Sequence, residues 1–157
     1  MNRRYALIML TVVFSMFVAC DDLGKDDDEG GNETKISAKG DDESHHTGDN
    51  CMRCHKDGGE GEGWFTVAGT AYHADLTTPY PNALVILFNA SSQSIVATIE
   101  VDAKGNFYTT RDIDWAVGLN ASVADDMNAS GSMLSALPNG ACNSCHDGIT
   151  VDVIHIE

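Results

Sequence analysis

The stretch that decides the fold is ALVILFNASSQSIVATIEVDAKGNFYTT, residues 83–110. Val, Ile, Phe and Thr are concentrated in three short runs: Ala83 to Asn89, Ile95 to Val101 and Gly105 to Thr110. Runs of this length and composition predict β-strands. Asn, Ser, Asp and Gly between the runs are the residues that form turns. The stretch therefore predicts three successive strands joined by tight connections.

The same pattern continues on both sides. A run at Trp64 to Tyr72, interrupted by Gly69, and another at Ala116 to Ala124 also predict strands, and Ser132 to Leu137 is a weaker candidate. Strands recur about every ten residues, and no long segment has the 3.6-residue period of a helix. The sequence thus predicts a mainly β fold, an antiparallel β-sandwich.

Two pentapeptides enclose this β region. They are Cys51-Met52-Arg53-Cys54-His55 and Cys142-Asn143-Ser144-Cys145-His146, and both fit C-x-x-C-H, the attachment signal for c-type haem. Two thiols at this spacing form thioethers to the two vinyl groups of one porphyrin, and the following His binds the iron. The pair predicts two covalently bound haem c groups, with His55 and His146 as proximal ligands.

Two other interpretations use the same cysteines. Cys51, Cys54, Cys142 and Cys145 would make a four-thiolate zinc set, although zinc does not require a His after each pair. A C-x-x-C pair is also a redox disulfide in thioredoxin-like proteins, but the alternation of strands and helices expected there is missing from the pattern. Both alternatives remain open at this point.

The sixth ligand of each iron must come from another side chain. Four further histidines are present, and they favour iron held by two imidazoles, which has a lower potential than iron held by Met and His. His155, nine residues after His146, and His46, five residues before Cys51, are candidates, as is His73 at the end of the first strand. His45 is expected to be a solvent-exposed histidine.

The N-terminal region predicts export. Arg3 and Arg4 precede an apolar run, Tyr5 to Val18, which is typical of a signal peptide. Ala19 before Cys20 resembles a bacterial lipobox, so residues 1–19 are expected to be removed and Cys20 to carry a lipid. Export also favours haem, because covalent haem attachment in bacteria occurs outside the cytoplasmic membrane.

Acidic residues dominate the next segment. Residues 20–50 contain few large apolar side chains and are predicted to be a disordered acidic linker, which leaves residues 51–157 as the folded domain. Without residues 1–19 the chain has seven Lys and Arg against 24 Asp and Glu, a formal net charge of −17. Nucleic acid is therefore a poor partner, whereas a basic redox protein is compatible.

A family resemblance emerges in the strands. Val67 to Tyr72, Pro81 to Val85 and Thr98 to Tyr108 resemble the repeated signatures of carboxypeptidase regulatory-like domains, which are prealbumin-like sandwiches. Placed between two C-x-x-C-H motifs, this region resembles envelope multihaem cytochromes of metal-reducing bacteria.

The signal peptide and the lipobox predict an exported lipoprotein of the outer membrane or cell surface, and the resemblance implies that it is an electron carrier and not an enzyme. It would transfer electrons among envelope redox proteins. Self-assembly into a cytochrome filament and a small haem enzyme with an open iron site are the alternatives.

Overall fold

A computed structural model describes residues 32–125 and 128–156 of the chain. Its strands are β1 (Val67–His73), β2 (Leu84–Asn89), β3 (Ile95–Glu100), β4 (Asn106–Thr109), β5 (Leu119–Asp125), β6 (Asn128–Ser132), β7 (Gly140–Ala141) and β8 (Ile154–Ile156). The helical segments among the described residues are three single turns of 3-10 helix. None of the helices in this part of the chain has the length and hydropathy needed to cross a membrane.

The strands form two four-stranded sheets. One has the order β3-β2-β5-β6 and is antiparallel throughout. In the other, β4 pairs with one edge of β1 in antiparallel fashion, and β7 and β8 pair with β1 in parallel. The mainly β prediction is confirmed, while the purely antiparallel one is wrong at β7 and β8. Parallel pairing arises there because the chain crosses over before it returns to β1.

Most predicted strands are present with shifted ends. The run from Trp64 begins pairing only at Val67, and the run from Ala116 begins at Leu119, because a 3-10 turn covers Trp115–Val117. The weak candidate Ser132 to Leu137 is wrong beyond its first residue, since β6 ends at Ser132. Period and composition locate a strand well but do not show where its hydrogen bonds begin.

Both sheets contribute to one hydrophobic core. Val67 and Phe107 from one sheet and Leu87 and Ile99 from the other are at most 1% exposed and belong to the same buried cluster. Phe107 is the largest of the fully buried side chains. Burial of such side chains contributes about 1.5–3 kcal/mol each. This shared core holds the two sheets together.

Within the acidic segment before the first motif, residues 35–37 pair with the backbone at 108–110, along β4 and its end, a contact that the prediction of a disordered linker did not include. Ile36 forms an antiparallel bridge with Thr109, and the Ser37 amide donates to the Tyr108 carbonyl at 3.0 Å. Ser37 is 2% exposed. Composition alone did not show this, because backbone pairing at a free strand edge needs few apolar side chains.

Gly69 lies in β1 where the second motif crosses it, and Gly69→Ala is expected to destabilise the fold by about 1–3 kcal/mol through overpacking. A Cβ at Gly69 would come within 2.6 Å of Phe107 and 2.9 Å of the Cβ of Cys142. Gly131→Ala in β6 is the matched control, because the nearest atom there is at 3.4 Å. Chemical denaturation measures both variants, and equal stabilities would contradict this packing argument.

Candidate functional site

The two C-x-x-C-H motifs adopt the same local structure. The first begins as a 3-10 turn at Cys51–Arg53 and the second as one at Cys142–Ser144. In each, the second Cys amide donates to the carbonyl of the first Cys at 3.2 Å, and the His amide donates to that same carbonyl at 3.0 Å. Each turn therefore places two thiols and one imidazole on a compact loop.

Both motif histidines have a defined tautomer. Nδ1 of His55 lies 2.9 Å from the Glu62 carbonyl oxygen, and Nδ1 of His146 lies 2.6 Å from that of Asp152. A carbonyl oxygen only accepts, so Nδ1 carries the proton in both rings and Nε2 keeps a free lone pair. Metal-binding histidines are usually oriented by such a bond. Both rings are thus prepared to bind a metal through Nε2.

The ring of His55 is also held by packing. It stacks on Phe65 with centroids 4.1 Å apart, and Phe65 stacks on Tyr108 of β4 at 4.7 Å. The loop that carries Glu62 passes close to the imidazole, since a Cβ at Gly61 would come within 2.7 Å of it. The first motif is therefore attached to β4 through an aromatic stack, and its His cannot rotate freely.

The first motif lines a polar cavity of about 830 Å³. Seven charged residues contribute to its wall: Lys35, Asp41, Glu43, Asp49, Arg53, Lys56 and Glu60. His45 and His46 line it together with Cys51, Cys54 and His55. Its volume lies within the range of about 300–1,000 Å³ that is typical of small-molecule and cofactor sites.

The second motif lines an apolar cavity of about 560 Å³. Asp152 is the one acid in its wall, which is otherwise formed largely by aliphatic and small side chains, among them Leu137, Val153 and Ile154. His146 and His155 both line this cavity, and so does Met133. Each motif thus has a cavity of its own, and the first cavity has more charged residues in its wall than the second.

The histidines predicted as sixth ligands lie in different surroundings. His155 shares the apolar cavity with His146, and its Nδ1 lies 3.0 Å from the Val153 carbonyl oxygen, which again leaves Nε2 free. His46 borders the polar cavity, but its side chain is 75% exposed and Nδ1 lies 3.5 Å from an Asp49 oxygen. His73 lines neither cavity and lies against Tyr80.

His45 is exposed, as the sequence predicted, and it lies beside the first motif. Its ring centroid is 5.8 Å from that of His55. Two imidazoles that bind one metal from opposite sides, with bonds of about 2.0 Å, have centroids roughly 6 Å apart. Of the two adjacent histidines, His45 is the one whose ring lies against that of His55. The only signal in the sequence was the pair of adjacent histidines upstream of Cys51.

Hydrogen bonds join the two motifs. Asn143, inside the second motif, donates from Nδ2 to the carbonyl of Asp49, two residues before Cys51, at 3.0 Å. The second motif lies between β7 and β8, which pair with successive parts of the same edge of β1. The fold therefore brings two segments together that are separated by about ninety residues in the sequence.

The first thiol of each motif is poorly suited to thiolate chemistry. Burial raises the pKa of Cys142 to about 12 and also raises the pKa of Cys51. Reactive and zinc-binding cysteines are instead those with a lowered pKa. In the part of the chain that the structure describes, no group of three or more His, Cys, Asp or Glu side chains is placed to hold a metal ion.

Comparison with family models, curated proteins and solved structures gives no significant match for this chain. The predicted lipidation site, Cys20, lies outside the described residues. The assignment of a function therefore rests on the geometry of the two motifs and their cavities.

Proposed function

We propose that this protein is a dihaem c-type cytochrome that relays electrons in the bacterial cell envelope. The observation that carries the proposal is the repeated arrangement of a C-x-x-C-H turn, a His with protonated Nδ1, and an adjacent cavity with a further His. A zinc or disulfide site would not need a cavity beside each pair. The residues present fit two haem groups.

The chain offers a complete set of residues for each group. Cys51, Cys54 and His55 would hold one haem, and Cys142, Cys145 and His146 would hold the other. His155 is the sixth ligand that the apolar cavity supports. At the polar cavity His45 is favoured over His46, because the His45 ring lies 5.8 Å from that of His55.

Electron transfer follows from this ligand set. A haem iron held by two imidazoles supplies a one-electron couple and has no open position for a substrate. The protein residues orient the imidazoles, through the carbonyls of Glu62, Asp152 and Val153, and shield the second site from water with aliphatic side chains. We therefore propose a carrier. A small haem enzyme is the alternative, and it would require one of these irons to be open.

The remaining features of the proposal concern scaffold and location. The two sheets, which share one core, would form a sandwich that holds the two motifs. Lipidation at Cys20 would anchor the protein at the outer membrane or cell surface, and membrane fractionation of a Cys20→Ser variant is the test.

The net charge of −15 favours basic redox partners over nucleic acid. Assembly into filaments remains an alternative that electron microscopy distinguishes.

Carbon monoxide distinguishes the carrier from the enzyme. The reduced wild-type holoprotein is expected to show low-spin spectra that do not change when carbon monoxide is added, because both irons have six protein and porphyrin ligands. Rapid carbon monoxide binding at either haem, or reduction of nitrite or peroxide at enzymatic rates, would contradict the carrier assignment.

A further inference from the structure

Thr70 lies in the middle of β1, and its hydroxyl makes every hydrogen bond that a hydroxyl can make. Oγ1 donates to Oδ1 of Asn106 at 2.8 Å, and it accepts from the Gly48 amide at 3.0 Å and from Nδ2 of Asn143 at 3.1 Å. A hydroxyl has one proton and two lone pairs, so its capacity is filled. Thr70 is 1% exposed. One buried hydroxyl therefore joins three separate parts of the chain.

Asn143 uses both ends of its carboxamide in the same region. Oδ1 accepts from the Thr70 amide at 3.0 Å, while Nδ2 donates to the Asp49 carbonyl and to the Thr70 hydroxyl. The side chain is one of the two variable positions of the second C-x-x-C-H motif, and it is 5% exposed. Haem attachment itself places no demand on this position. Its burial and its bonds therefore need another explanation.

Asn106 extends the network to the histidines upstream of the first motif. Its Nδ2 donates to Oγ of Ser44 at 2.9 Å and to Oγ1 of Thr47 at 3.1 Å. These two residues enclose His45 and His46 in the sequence. The segment that leads to Cys51 is thus held by Asn106 at Ser44 and Thr47. It is also held by Thr70 at Gly48 and by Asn143 at Asp49.

We infer that Thr70 and Asn143 are positioning residues that set the spacing and relative orientation of the two haem-attachment segments. This inference rests on the proposed function, because the spacing matters for electron exchange only if both segments carry haem. The bonds themselves connect Asp49, just before the first motif, to the interior of the second motif. Thr70, on the rigid strand β1, is the fixed point to which both are joined.

Physical chemistry makes this network a strong constraint. A buried polar group that loses its partner retains its full desolvation cost, so removal of one member of the network costs more than replacement of all of them by apolar groups. Removal of the Thr70 hydroxyl would leave the Gly48 amide, the Asn143 amide nitrogen and the Asn106 oxygen each without that partner. The two segments are then expected to separate until water can reach these groups.

Thr70→Val tests the inference, because it retains the shape of the side chain and removes the hydroxyl. Thr70→Ser is the matched control, because it keeps the hydroxyl. The full-length holoprotein is used throughout. Circular dichroism in the Soret region reports the coupling between two haems through an exciton couplet. We expect the couplet to weaken or change shape in Thr70→Val and to be retained in Thr70→Ser, while both variants keep two haems by mass and low-spin absorption spectra.

A second pair of variants examines the same contact from the other motif. Asn143→Asp keeps the acceptor for the Thr70 amide but loses both donors, and it is expected to alter the couplet in the same way. Ser144→Ala, at the other variable position of the motif, is the control, because the partners of the Ser144 side chain are near neighbours in the sequence: its Oγ donates to the Ala141 carbonyl at 2.6 Å and lies 3.8 Å from Sγ of Cys145. A couplet that is the same in wild type, Thr70→Val and Asn143→Asp overturns the inference.

Hydrogen exchange separates failure of this inference from failure of the proposed function. The Gly48 amide is expected to exchange slowly in wild type and Thr70→Ser and at least tenfold faster in Thr70→Val, whether or not haem is bound. Equal exchange in all three proteins would overturn the network as a positioning device even if two haems are present. Absence of haem by mass would instead overturn the proposed function, and with it the role in electron exchange, while leaving the structural network intact.

Discussion

The mature protein, produced in a host with cytochrome c maturation, is expected to carry two covalently bound haem groups, and the double variant Cys51→Ala, Cys54→Ala is expected to carry one. The reason is that each motif forms its own turn and lines its own cavity, so loss of one attachment site leaves the other intact. Intact mass spectrometry under denaturing conditions measures the number directly, because thioether bonds survive unfolding.

The reciprocal variant is the control for this experiment. Cys142→Ala with Cys145→Ala should retain the haem at the first motif only, and the two single-haem proteins should differ in their absorption spectra, because, of the charged residues that the structure describes, seven line the first cavity and Asp152 alone lines the second. A wild-type mass that corresponds to the chain alone, to the chain with zinc, or to the chain with two disulfides would refute the cytochrome proposal.

His155→Ala is expected to convert the haem at the second motif from low spin to high spin and to make it bind carbon monoxide, while the haem at the first motif does not change. His155 lines the apolar cavity with His146, and its Nδ1 is bonded to Val153, so Nε2 is available to the iron. Loss of this ligand leaves an open position. Electron paramagnetic resonance of the oxidised protein, together with carbon monoxide difference spectra, measures both effects.

Two further variants make the result interpretable. His73→Ala is the matched control and should leave both haems unchanged, because His73 lines neither cavity. His155→Met should restore a low-spin spectrum with a higher potential, since a sulfur ligand raises the potential. If His155→Ala leaves both spectra intact, the ligand assignment is wrong, and Met133, which lines the same cavity, becomes the candidate.

The two motifs could be recognised in the sequence, since each is a run of five residues with a fixed spacing. Strand positions were readable for the same reason: apolar runs and turn residues act within a few positions of one another. The pairing of the acidic segment with β4 could not be predicted in this way. It depends on the free edge of a strand that is distant in the sequence, as the bridge between Ile36 and Thr109 shows. Composition describes a segment by itself and does not include a distant strand that it can pair with.

The sequence by itself thus determined that the chain is mainly β and contains two C-x-x-C-H motifs, because both follow from contacts and spacings within short stretches. Only the tertiary structure decided that β7 and β8 place the second motif beside β1, that His155 lines the cavity of His146, and that the His45 ring lies 5.8 Å from that of His55. It also decided the hydrogen bonds of Asn143, a variable position in the motif. These relations depend on long-range pairing, which brings together residues that no local pattern connects.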